Sequence, residues 1–233
     1  MEQNTSITFS FIVRAYNAKK TLGRAIESAL SQDFDGPYEV IVVDDGSTDG
    51  TAEVLSSFTD ERISLIQQEN KGLIGASQTG LEAARGVVIM LLDADDESFS
   101  HTIRTVMPKF ADSSIDYVYG DYHEEFEGTT KLVKASDVFK VPAGGIAWRR
   151  EKLRVAGGFV GDTIFPEYEL LLRMWGSWRG TYIAESLFLY HRDVSSITGD
   201  RKLVERAIEI ICAKFPERAE QVNLIRSYDP LAT

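Results

Sequence analysis

A chain of 233 residues with 43% hydrophobic and 26% charged side chains has the make-up of a globular protein, able to bury a sizeable core in one domain or two closely fused halves. Its formal net charge of −11 argues against nucleic acid as the main partner, because such proteins gather Lys and Arg to replace backbone counterions. The longest apolar run, Gly86 to Leu92, is far too short to cross a bilayer, and Met1 to Ser10 has neither a basic start nor an apolar signal core, so a cytoplasmic location is expected.

Through the first half, apolar β-branched runs alternate with amphipathic stretches, which predicts a mostly parallel, Rossmann-like sheet flanked by helices. Residues 7–13 read as the first strand. Leu22, Ala25, Ile26, Ala29 and Leu30 then fall on one face of a helix. Residues 38–43 form the second predicted strand, after which Ser47 or Thr48 caps a helix bearing Val54, Leu55 and Phe58. A third strand is expected at 62–67, a helix in "GLIGASQTGLEAARG" ending at Gly86, and a fourth strand at 87–92.

The second half is less regular. "DYVYGDYHEEF" and "TKLVKAS" read as a strand pair, "PAGGIAWRREKLRVAGGF" as a Gly-flanked loop with a short helix, and "EYELLLRMWGSW" as a helix. "TYIAESLFLYH" supplies further strand, and two helices follow from about Asp200. The single Cys212 sits where Val204, Ile208, Ile211 and Phe215 share a helical face, which reads as core and excludes an internal disulfide.

In such sheets, ligands bind beyond the carboxyl ends of the strands, and "RAYN", "DDGSTDG" and "DADDE" all end there. Asp93 and Asp95 stand at i and i+2, which puts two hard oxygen donors on one side of an extended segment. That pair suits Mg²⁺ or Mn²⁺ while leaving coordination positions for phosphate oxygens. Without a cation the neighbouring carboxylates would repel and raise their own pKa values. Glu97, by contrast, reads as part of the start of the next helix. "DDGSTDGT" matches the early positions of an EF-hand loop but has Ser56 where the bidentate Glu belongs, so it is a turn and helix cap. Asp44 and Asp45 exceed what that turn needs, and one of them is expected to face a ligand, where it could accept a hydrogen bond from a nucleobase edge. "RAYN" has no glycine, which makes NAD enzymes and P-loop NTPases poor fits, and Tyr16 there serves either to stack on a base or to cover the sheet end.

Taken together, "SFIVRAYNAKKTLGRAIESALSQ", "YEVIVVDDGSTDGT", "NKGLIGASQTGLEAARG" and "VIMLLDADDE" resemble a family 2 glycosyltransferase of the GT-A fold. The resemblance implies inverting transfer of a sugar from a nucleotide sugar, UDP-linked in the commonest case, to the hydroxyl of a carbohydrate or glycolipid acceptor. It implies a nucleotide-sugar-binding lobe over residues 1–115 and an acceptor-side lobe over 116–233 that carries the catalytic base, in one compact domain. By position Tyr16 packs on the base, Asp45 hydrogen-bonds it with Asp44 as a further donor-binding residue, Asp93 approaches the ribose or sugar, and Asp95 is the metal ligand. Glu167 takes the place of the family's catalytic Asp, with Glu169 as its alternative.

The family often carries Arg-Asn in the third helix. Here Ser77-Gln78 stand there, and Lys71, Arg14 or Arg192 is expected to supply the missing contact near the diphosphate. "YHRDVSSIT" resembles a loop that closes over the donor, from which His191 would approach the metal. "AGGIAW" and Trp175 to Trp178 are placed at the acceptor, or in the core. The changed motif positions also allow a sugar-nucleotide-binding subunit without transfer activity. A dimer and peripheral contact with the inner face of a membrane are left open.

Overall fold

The computed structural model describes residues 6–192 and 200–227. The parallel half of its sheet is built from β1 (Phe9–Ala15), β2 (Tyr38–Asp44), β3 (Ile63–Gln67) and β4 (Val88–Asp93), in spatial order β3-β2-β1-β4. Every residue of β1 and β2 is buried. Strands covered on both faces need apolar side chains at odd and even positions alike, which is why these segments read as unbroken hydrophobic runs. Helices α1 (Leu22–Leu30), α2 (Thr51–Ser56) and α3 (Gly72–Ala83) make the crossovers. α1 buries Leu22, Ala25, Ile26 and Ala29, the face its periodicity marks.

The sheet then continues without a break into the second half. β8 (Ile146–Arg149) pairs antiparallel with β4, β6 (Tyr117–Phe126) antiparallel with β8, and β9 (Gly180–His191) parallel with β6. β7 (Thr129–Val133) pairs with β6, and the short β5 (Glu97–Ser98) pairs with the end of β9. The remaining helices are α4 (Thr102–Val106), α5 (Arg150–Val155), α6 (Pro166–Arg173), α7 (Arg201–Lys214) and α8 (Ala219–Ser227). Among the described residues no helix is long and apolar enough to cross a membrane.

Three elements differ from the sequence reading. "IAWR" is a strand in the middle of the sheet, where a loop was expected, and its Trp148 is fully buried. Three apolar residues and an arginine between glycines and a helix carry no readable period, so only the gap between β4 and β6 reveals them. Glu97 does not start a helix; it lies in β5, and α4 begins only at Thr102. α2 starts at Thr51 after Gly50 in the left-handed region, because Ser47 and Thr48 spend their hydrogen bonds on Asn17.

Side chains on the two faces of the sheet fill two separate cores. Ile12, Ile41, Val43, Ile89 and Leu91 face one side, packed with α6, α7 and α8, while Phe11, Val13, Val42, Met90 and Leu92 face the other. Alternation carries this division past the strands' ends, placing Arg14 and Asp93 on the same face as Ile12 and Leu91. Trp175 packs against Phe139 and Trp178 against Trp148, so the core reading holds for this pair. Ile211 and Phe215 are buried as the α7 pattern requires, and Cys212 is half-buried beside them.

α3 lies so close to the sheet that a Cβ on Gly80 would collide with Ile12 Cγ2. Gly80→Ala gains about 1 kcal/mol of helix propensity and loses about 1–3 kcal/mol to overpacking. The expected net result is a lower urea midpoint with an unchanged slope.

Candidate functional site

The parallel strands deliver three loops to one edge of the sheet, and hydrogen bonds lace them together. Asn17, held at φ 50°, accepts the Thr48 N–H through Oδ1 at 2.8 Å, and its own N–H donates to Ser47 Oγ at 2.9 Å. Asp44 Oδ1 accepts the Ser47 N–H at 3.1 Å. Asp45 Oδ1 accepts from Gln68 Nε2 at 2.6 Å and from the Lys71 N–H at 2.9 Å, tying β2 to the start of α3. Asp44 and Asp45 are both buried, whereas Tyr16 is 56% exposed and Lys71 is exposed. The open Tyr16 ring directly follows Ala15, whose carbonyl accepts the Asp45 N–H at 2.8 Å.

The acidic turn follows β4. Its backbone is held by the Asp96 N–H donating to Asp93 O at 3.1 Å and by Arg24 Nη2 on α1 donating to Asp95 O at 2.8 Å. Arg14 Nη2 meets Asp93 Oδ1 at 2.5 Å, and Arg14 Nη1 donates to Ser77 Oγ at 3.1 Å. Asp96 is 1% exposed; its Oδ1 accepts the His191 N–H at 2.9 Å, while Oδ2 is buried without a partner. Burial, then the charges of Asp95 and Asp93, push the Asp96 carboxyl well up. Burial and the charge of Asp93 likewise push Asp95 up to about 6.

Glu167 completes the set from the first turn of α6. It is 6% exposed, and burial pushes its carboxyl up to about 7, against the pull of Arg14 and with a smaller push from Asp93. Glu169 is buried too, but its carboxylate receives Lys214 Nζ at 2.7 Å and Arg173 Nε at 3.2 Å. Arg173 in turn donates to the carbonyls of Ala156 and Gly158. The two glutamates therefore divide: Glu169 bolts α6 to α7 and to the glycine turn, and Glu167 sits among the site's charges. Gln78 has a similar bolting role, its Oε1 accepting the Phe159 N–H at 3.0 Å, and a side chain on Gly158 would collide with it.

The residues that could hold a metal are Asp93 and Asp95: burial, then the charge of Asp93, raises the proton affinity of Asp95, and hard carboxylate oxygens suit Mg²⁺ or Mn²⁺. Among the described residues no cluster of at least three His, Cys, Asp or Glu is arranged to hold a metal ion. His191 is not arranged as a ligand: its Nε2 lies 2.7 Å from Glu97 Oε1 and its Nδ1 3.0 Å from Glu125 Oε2. It links β5 to β6, and Glu97 also meets Arg24 Nε at 3.1 Å.

Of the basic candidates for an anionic ligand, Arg14 is paired with Asp93. Arg192 is buried, 3.3 Å from Glu124 and packed over the Phe126 ring, which leaves Lys71 open to solvent. Residues 193–199 of the expected closing loop lie outside the described residues. The sequence reading missed Arg24 and assigned Gln78 no contact. Arg14 was legible in principle, since the parallel register sets it directly beside Asp93.

Comparison with known proteins bears on the family and the fold. The family model for glycosyl transferase family 2 matches residues 10–195. An uncharacterized glycosyltransferase of Nostoc sp. is 31% identical over 188 residues, covering 71% of this chain and 56% of that relative, so the chain spans about half its length. The structure of S. aureus TarS residues 1–349 with UDP-GlcNAc is similar at TM-score 0.76 and 16% identity, covering 95% of this chain and 71% of that one. Mannosyltransferase PcManGT of Pyrobaculum calidifontis, solved with GDP-Man and Mn²⁺, gives TM-score 0.72 at 18% identity, covering 97% of this chain and 70% of that one.

Two outcomes follow from the buried carboxyls. Glu167 titrates near 4.5 unfolded and near 7 folded, so the folded state holds the extra proton between those values. Metal-free stability is greatest below that window and falls by about 3 kcal/mol as pH rises through it, with Asp95 adding the same sign; urea midpoints against pH read this out. Asp60, held down to about 2 by Arg62, acts only at more acid pH and with the opposite sign. Glu169→Gln, which removes the charge that Arg173 and Lys214 share, is expected to cost about 2 kcal/mol in the same assay, below the full loss of a buried pair because the amide still accepts a hydrogen bond.

Proposed function

The chain belongs to glycosyl transferase family 2, and we propose that it transfers a sugar from a nucleoside-diphosphate sugar, UDP-linked, to an acceptor hydroxyl with inversion at the anomeric carbon. The acceptor is a carbohydrate or glycolipid, and the product a polysaccharide or glycoconjugate. One observation carries the reading: a buried carboxyl poised near neutral pH, Glu167, lies within electrostatic reach of Asp93 at the end of β4. The UDP-GlcNAc and GDP-Man held by the structural neighbours support a nucleotide-sugar donor.

Tyr16 stacks on the base, and the Asp44–Asp45 loop borders it. Glu167 accepts the proton of the acceptor hydroxyl, whose oxygen forms the new bond at the anomeric carbon. On the opposite face the bond to the diphosphate oxygen breaks, and its electron pair leaves with the nucleoside diphosphate. A base with a pKa close to the working pH is matched to that step. Asp95, with Asp93 beside it, would hold Mg²⁺ or Mn²⁺, which when bound offsets the diphosphate's charge.

Nucleoside diphosphate release from UDP-, GDP- and dTDP-sugars with Mn²⁺ tests the reading, and metal-dependent donor binding without release or transfer would favour a non-catalytic subunit. Glu167→Gln is expected to lower kcat by about 10²–10⁴ while donor affinity holds. Asp95→Asn is expected to abolish the Mn²⁺ dependence of donor binding in calorimetry; near-normal affinity would remove the cation role.

A further inference from the structure

Four carboxyl groups gather at the end of β4 and the start of α6, and a single buried cation, Arg14, has electrostatic effects on all of them. Its side chain is 3% exposed. Parallel pairing sets Arg14 beside Asp93 in register, so the contact at 2.5 Å is imposed by the strands and does not depend on a loop. The other end of the guanidinium is held at 3.1 Å by Ser77 Oγ, whose own hydroxyl donates to Leu73 O at 2.7 Å on α3. Arg14 Nε is buried with no partner. A guanidinium is expensive to bury with a donor unpaired, so its placement is dictated by the acids it faces.

We propose that Arg14 is a positioning residue for the transfer reaction: braced against Ser77, it aims the Asp93 carboxylate and supplies the internal counter-charge between the acidic turn and Glu167. This rests on the transferase reading given above. The charged groups acting on Glu167 are Arg14, which favours the carboxylate, and Asp93, which opposes it. Ser77, small and fully buried, leaves the room on α3 that the guanidinium occupies.

The test compares Arg14→Gln with Arg14→Lys on the full chain. Arg14→Gln removes the charge and the fork; kcat is expected to fall by about tenfold or more, with a smaller change in KM. The acid limb of its kcat–pH profile is expected to move up by about one pH unit, as loss of a neighbouring cation demands. Arg14→Lys keeps the charge without the fork, so its acid limb returns to the wild-type position while kcat stays reduced. A purely structural residue would move neither limb, and an Arg14→Gln limb coincident with wild type overturns the proposal.

A crystal structure of either variant gives a readout that does not depend on turnover. The Asp93 carboxylate is expected to leave its place, and a carboxylate that stays put overturns the positioning role. If the wild type releases no nucleotide, the transferase reading fails while the Asp93 position still judges Arg14. If Arg14→Gln does not fold, the Asp93 position in an Arg14→Lys crystal structure still decides the positioning role.

Discussion

Like charges crowded at the mouth of a buried strand repel one another, and the architecture is arranged around that repulsion. Asp93 ends β4, Asp95 and Asp96 follow it within one turn, and Glu167 approaches from α6. Protein groups answer at several points: Arg14 from β1, Arg24 from α1 and the His191 N–H from β9. They satisfy Asp93 and the turn's backbone yet leave Asp95 and Asp96 with raised proton affinity. The balance left over is the one that the proposed cation would relieve.

The same turn shows why the second half of the chain cannot be treated as an appendage. β8 enters the sheet beside β4, β6 and β9 extend it, and β9 ends by pairing with β5, directly after the acids. Glu97 and His191 thus serve as fasteners, joined to Arg24 on one side and Glu125 on the other. The glycine turn before α6 is fastened in the same manner by Gln78 and Arg173, so Glu167 is carried on an element anchored to both halves.

Legibility in the sequence followed the range of the interactions. β1, β2, β4 and α1 were readable because burial on both faces, or on one helical face, leaves a near-continuous or periodic apolar pattern. The acid pair stood out because nothing local explains it. β8 and the placement of Glu97 were not readable, since both depend on partners far along the chain. The two glutamates of α6 look equivalent as text; only Arg173 and Lys214, brought in by packing, tell them apart. The Arg14–Asp93 contact lay between these cases, needing only the strand register in addition to the residues.

The bond from the His191 N–H to Asp96 spans 95 residues of chain. Closing so large a loop is an entropic step that local collapse cannot take, and contacts of that separation form slowly. The parallel half could gather early from neighbouring segments, but the acidic turn acquires its last backbone donor only when the end of β9 arrives. A nascent chain would therefore show ordered strands before it could present an ordered cluster of acids, which must wait for the end of β9.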